Sequence, residues 1–485
     1  MSTAVQSTLD TRGRSIACIP IAAALAGERV FTMLLTFATV LGLAAVSSTP
    51  LQECHPMLTE PVYGGTTPTP MDVLGIEFGE RPVTSAESDR YLQAVADASE
   101  RVVGPFELPL LSVRGQPLKF VLVGNPTFLE PLALEEIKLA MSLLRDPETP
   151  EDVSAEIIET MPPFTWMAAC VHGGEKSGTD AALKMLYELA DRTDCAAEQI
   201  VGNQILVIFP NQNPDGRDNA ARRNANGFDM NRDWFAQTQP ETRGKLQVLN
   251  EYPPTVFMDI HEMGGTQYFF PPNADPYYHE VSTASAGQIN DMYGPAMATE
   301  FDRQGIPYFT GATFDLFYAG YGDTAPTLGW NGAGMTFEQG SASPFDVKVY
   351  NQWLASWMSA SAAGVQRQRV LREWHWAYVE AAAQGRAGQL QPNRVFNPGN
   401  EVEFEVPDIT VRNYFMIDDP SKGEEVAKVL FSCCMRSRLR CRRTDTYMFA
   451  TFGPGIGAAC HCQRPGGAAD GAVCSGRLCA HRRSI

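Results

Sequence analysis

Helices that alternate with strands put this 485-residue chain in the α/β class, with a sheet covered on both faces. Three observations carry that assignment. Apolar runs of strand length recur through the middle of the chain, helical periodicity fills the stretches between them, and several runs end directly in polar, glycine-rich sequence.

In chain order, Ser85 to Arg101 predicts a helix, Leu118 to Gly124 a strand, and Leu132 to Leu144 a second helix. Phe164 to Val171 is a continuous apolar run bounded by Pro163 and Gly173, hence a strand buried on both faces. Thr179 to Ala190 follows as a helix. Gln204 to Phe209 and Thr255 to Ile260 are two further buried strands, and Gly334 to Gln339 is a shorter one. Glu401 to Val406 alternates with period two, which predicts a small half-exposed β unit after the main domain.

Composition bounds the function. The formal net charge of -18 disfavours a nucleic-acid partner, because phosphate binding needs a basic surface. The start reads as an export signal: Arg12, Arg14 and Arg29 precede an apolar run from Phe31 to Ala45, and small residues follow at Val46 to Ser48. The expected location is therefore secreted or periplasmic, with membrane attachment only through an uncleaved N-terminal anchor. Five segments are expected: 1–48 signal or anchor, 49–84 extended Pro/Gly/Thr-rich linker, 85–385 catalytic domain, 386–432 accessory β unit, and a 433–485 tail. That tail holds 9 Arg, no Lys and 7 of the 11 Cys, and reads as unstructured or as a frame-shifted stretch.

The chemistry lies just past the ends of the apolar strands, where open α/β sheets place ligands. His172-Gly-Gly-Glu175 sets an imidazole and a carboxylate three residues apart over two glycines. A third ligand is needed for zinc, and two histidines with one carboxylate form a hydrolytic set. His261 ends the strand from Thr255, whereas His279 lies in a polar stretch, so His261 is chosen. Position 265 is Gly, which excludes an HExxH helix. The segment Asn213-Pro-Asp-Gly216, followed by Arg222, Arg223, Asn231 and Arg232, suits recognition of a carboxylate and of developing negative charge. Glu338 ends an otherwise apolar strand and is the expected base. Glu262 competes, but its side chain points away if His261 faces the metal.

These segments, with Gly227-Phe-Asp-Met-Asn231-Arg232, Asp259-Ile-His261 and Thr336-Phe-Glu338, resemble the zinc carboxypeptidase family over roughly residues 85–360. The resemblance implies an α/β/α sandwich around a mixed, mostly parallel sheet of about eight strands. It implies one zinc per chain, held by His172, Glu175 and His261. Arg222 matches the family arginine that stabilises the oxyanion, with Arg223 an alternative register. Asn231 and Arg232 match the pair that holds a peptide's terminal carboxylate. Tyr318 matches the mobile tyrosine, with Tyr321 close by. The implied activity is hydrolysis of the C-terminal peptide bond, with Glu338 passing the proton of water to the leaving amine. The substrate pocket is expected near Asp323 to Leu328. Two other readings stand beside it: a zinc deacylase of N-acyl amino acids and an inactive binding module.

Overall fold

The computed structural model describes residues 61–271, 281–310, 324–387, 394–397, 400–403, 413–417, 439–443 and 447–452. Two compact units divide the chain, Met1–Glu53 and Cys54–Ile485, and every described residue lies in the second.

An eight-stranded mixed sheet frames this unit. Its strands are β1 (Val102–Glu107), β2 (Lys119–Val123), β3 (Phe164–Ala169), β4 (Ile205–Phe209), β5 (Pro254–Met263), β6 (Tyr268–Phe269), β7 (Tyr308–Phe309) and β8 (Ala333–Gly340). They line up in the order β1-β2-β4-β3-β5-β8-β6-β7. The central β4, β3, β5 and β8 run parallel, as do β6 and β7. The β1–β2, β2–β4 and β6–β8 pairs are antiparallel.

Every residue of β3 and β4 is buried, which is why these strands read as unbroken apolar runs rather than alternating ones. On one face, Met167, Ile208, Met258 and Ile260 join a core with Leu92 of helix α1 (Ser85–Ala98), Leu186 of α2 (Ser177–Asp191) and Leu354. On the other face, Trp166 stacks on Phe257 at 6.0 Å and Trp234 meets Phe257 edge-on. Helix α3 (Pro240–Glu251) closes that side through Lys245, whose Nζ lies 3.8 Å over the Trp234 ring. Leu354 belongs to α4 (Phe345–Val365), which runs beside α2. Truncating a ring such as Phe257 to alanine should cost about 3–5 kcal/mol, because both transfer energy and packing are lost.

Residues 61–84 depart from the extended linker expected over 49–84. The Asp191 carboxylate accepts the N–H groups of Gly65, Thr66 and Thr67 at 3.0, 3.0 and 2.8 Å. A helix from Pro70 to Leu74 starts with a capping box between Thr69 and Asp72, and Leu74, Ile76 and Val83 enter the core. Pro, Gly and Thr mark turns here, and a carboxylate from α2 supplies the acceptor that the turning backbone requires.

Beyond the main domain, Arg394–Asn397 pairs with Asn400–Glu403, inside the span expected for a β unit. In the 433–485 tail, expected to be unstructured or frame-shifted, the described residues are not without structure. The tail contains strands Leu439–Arg443 and Tyr447–Phe452, and the second pairs with Asn413–Ile417. Tyr447-Met-Phe-Ala-Thr-Phe452 is rich in residues that favour strands, a local signal that the overall Cys/Arg composition obscures.

Candidate metal centre

A loop, a short helix and two strands converge at the carboxyl ends of β3, β5 and β8. The 172–175 loop leaves β3, and the short helix, Pro214–Asp218, capped by Asn213, follows β4. The loop and the helix touch backbone to backbone: a Cβ built on Gly173 would lie 2.0 Å from the carbonyl carbon of Gly216. Glycine is required at 173 for that approach. Asn213 fastens the arrangement, donating from Nδ2 to the Val171 carbonyl at 3.1 Å and accepting from the Gly216 N–H at 2.9 Å.

His172, Glu175 and His261 bring one ligand atom each to within 4.8 Å of one another. Glu175 Oε1 lies 2.8 Å from His172 Nδ1, and Oε2 lies 3.0 Å from His261 Nδ1. The two Nδ1 atoms are 3.2 Å apart. Each ring has its other nitrogen on a carboxylate: His172 Nε2 is 3.1 Å from Asp229 Oδ1, and His261 Nε2 is 2.8 Å from Asp259 Oδ2. A neutral imidazole that donates from Nε2 presents a lone pair at Nδ1. Two such lone pairs and a carboxylate then point at one place, an arrangement that a divalent cation relieves. The residues therefore fit zinc, and the outer carboxylates fit the usual support of metal-binding histidines.

The electrostatics agree. Burial opposes ionisation of Glu175, but bonds from His172 and His261 outweigh it and bring the carboxyl down to about 2. For His261, burial disfavours the imidazolium, yet Asp259 and Glu175 raise its pKa well above the ordinary value. The same carboxylates would favour a dication held between the two rings. Asp229 is pushed up by burial but held well below the usual carboxylate range by His172 and Arg222.

Glu338 stands beside His261 as its partner across the parallel β5–β8 ladder. Burial pushes its carboxyl up to about 8, with His261 opposing and Glu175 and Asp259 reinforcing the shift. Its Oε2 is buried without a hydrogen-bond partner among the described residues.

The structure also brings Arg222 and Asn231 to the cluster. Arg222 is half-exposed, and donates to Glu175 Oε1 at 3.2 Å and to Asp229 Oδ2 at 3.0 Å. Arg223 instead donates to the Gly227 carbonyl at 2.9 Å. Asn231 Nδ2 lies 3.2 Å from His261 Nε2, and its Oδ1 accepts from Trp234 Nε1 at 3.2 Å. Arg232 is exposed, with Nη1 on the Asn231 carbonyl at 3.0 Å. It lines a cleft of about 330 Å³ with Arg223, Phe228 and Asp229. Tyr318, Tyr321, His279 and Asp323 lie outside the described residues. Glu262 turns away from the cluster to Ser177 and Lys348, as strand alternation requires.

Sequence reasoning assigned no role to Asp229 and Asp259. The signal for Asp259 was present: it precedes His261 by two in a buried apolar strand, so both side chains share a face.

Residues 90–280 match the sequence model of the family described as zinc carboxypeptidase. Carboxypeptidase SOL1 of Arabidopsis thaliana is 34% identical over 116 residues, 21% of this chain and 23% of that protein. Carboxypeptidase D of Homo sapiens is 30% identical over 109 residues, 19% of this chain and 8% of that protein. The matches thus span under a quarter of these relatives. Among solved structures, the carboxypeptidase A from Helicoverpa armigera has a TM-score of 0.45 at 18% identity, covering 69% of this chain and 81% of that one. A metallo-carboxypeptidase from Pseudomonas aeruginosa has 0.44 at 16%, covering 60% and 70%.

Proposed function

We propose that the chain is a zinc metallocarboxypeptidase that removes the C-terminal residue of peptides, a reading supported by the match of residues 90–280 to the zinc carboxypeptidase model. The observation that carries this reading is the pair of Nδ1 atoms 3.2 Å apart, each backed by a carboxylate and both facing Glu175.

His172, Glu175 and His261 would hold one zinc ion. When bound, zinc supplies a Lewis acid that polarises the scissile carbonyl and makes water acidic enough to attack near neutral pH. Glu338 takes the proton of the attacking water and delivers it to the leaving amine. Burial, Glu175 and Asp259 favour its neutral form, and a zinc ion held beside it would oppose them and favour the carboxylate that must accept the proton. Arg222 reaches the cluster from its open side and faces the charge that grows on the carbonyl oxygen. Asn231 and Arg232 recognise the terminal carboxylate, Arg232 through its planar fork. Tyr318 is the substrate-binding tyrosine in this scheme.

The export signal over 1–48 is part of the proposal. N-terminal sequencing of the protein made by its own cell should start shortly after Ser48.

The activity is tested by loading the purified protein with zinc and following hydrolysis of a short peptide. One zinc per chain and release of one terminal amino acid are expected. Release of acyl groups from N-acyl amino acids, with no peptide cleaved, would turn the assignment to a deacylase.

A further inference from the structure

We infer that Glu262, Lys348, Ser177 and Gln352 form a positioning clamp that holds two of the metal ligands, and this rests on the zinc reading of the site. Glu262 directly follows His261 in β5 and sends its side chain to the opposite side of the strand. There its Oε1 accepts from the Ser177 N–H at 2.9 Å and from Ser177 Oγ at 2.7 Å. Its Oε2 accepts from Lys348 Nζ at 2.7 Å, and the two side chains are only 6% and 13% exposed.

Each partner is tied to a ligand. Ser177 opens α2, two residues after Glu175. The Glu262 N–H donates to Glu175 Oε2 at 3.0 Å, so the residue whose side chain is clamped also holds the ligand carboxylate with its backbone. Gln352, one helical turn beyond Lys348 in α4, donates to the His261 carbonyl at 2.8 Å and to Ser177 Oγ at 3.3 Å. The start of α2, strand β5 and helix α4, far apart in sequence, thereby meet at one carboxylate behind the ligands.

Removing Lys348 leaves a buried carboxylate without its cation. Glu262 must then shift, and its N–H moves with it, loosening Glu175. Outer contacts of this kind set how tightly a metal is held. A role confined to gluing α4 to the domain would instead lower stability without a selective effect on zinc.

The experiment measures zinc affinity by chelator competition, together with the unfolding midpoint of the zinc-free protein. The variants are Lys348→Met, Glu262→Gln, Lys348→Arg and, as a control, Lys184→Met. Lys184 also sits between α2 and α4, paired with Glu188 at 2.7 Å and 4.7 Å above the Trp353 ring, but away from the ligands. Lys348→Met and Glu262→Gln should weaken zinc binding about 10–100-fold. Lys348→Arg should restore most of it, and Lys184→Met should leave it unchanged. Should Lys348→Met fail to fold, Glu262→Gln carries the test. Wild-type affinity in Glu262→Gln and in any folded Lys348→Met, or an equal loss in Lys184→Met, overturns the clamp. A wild-type protein that takes up no zinc overturns the metal reading itself.

Discussion

At His261 the deciding feature is the nitrogen that faces away from the cluster. Nε2 lies 2.8 Å from Asp259 Oδ2, while Nδ1 is turned to His172 and Glu175. We predict that His261→Ala loses both zinc and hydrolysis, whereas His279→Ala keeps both; zinc stoichiometry by atomic absorption checks this, and the reverse pattern would discard the ligand set. Glu338→Gln should retain zinc while hydrolysis falls about 10²–10⁴-fold, since only the proton carrier is lost. The same residue makes a stability prediction for the zinc-free protein. Its folded pKa of about 8 exceeds the ordinary 4.5, so the folded state keeps a proton that the unfolded state releases between those values. Its effect on stability is therefore nil below about pH 4.5 and reaches its full cost above about pH 8. Zinc-free Glu338→Gln should unfold later than wild type at pH 8.5, by an amount on the order of a few kcal/mol, and should match it at pH 4. Equal urea midpoints at pH 8.5 would contradict this. The proposed ligands and base stand out in the sequence because histidines are few and because a carboxylate ending an apolar strand is conspicuous. The outer carboxylates were not assigned, since their role depends on which ring nitrogen they meet.

Among the elements, the 172–175 loop and the short helix Pro214–Asp218 depend on a contact that no side chain could survive. Gly173→Ala would drive its Cβ into the Gly216 backbone, and backbone cannot yield as a flexible side chain can. Gly174→Ala would meet nothing closer than the Ala220 carbonyl oxygen at 3.4 Å. Gly173→Ala should therefore yield protein with a markedly lower melting temperature and weak zinc binding, and Gly174→Ala should resemble wild type. Similar melting curves for the two would show that the loop and the helix are not pressed together. The four central strands were readable because burial on both faces makes them continuous apolar runs. β1 was hidden by Gly104-Pro105 in its interior, a pair that an edge strand tolerates and a central strand does not. β6 and β7 have two residues each, too few to show any period. The 61–84 segment was read as linker because its binding partner, Asp191, lies over a hundred residues away in sequence.

For the whole molecule, every assigned ligand and base lies between positions 172 and 338, on the eight-stranded sheet. Deleting 433–485 should accordingly leave zinc stoichiometry and hydrolysis close to those of the full chain, even though that stretch contains two strands. A tail that carries its own stoichiometric metal, or whose loss abolishes zinc at the main site, would contradict this. Among the described residues, no helix is long and apolar enough to cross a membrane, and the 31–45 apolar run lies outside them. The central claim is that the chain removes single residues from a free carboxyl terminus. Mass spectrometry of one peptide, incubated with zinc-loaded protein as the free acid and as the C-terminal amide, tests it most directly. Loss of one terminal residue from the acid and no change in the amide are expected, because an amide offers Arg232 no charge to pair with. Internal cleavage, or equal rates on acid and amide, would contradict it.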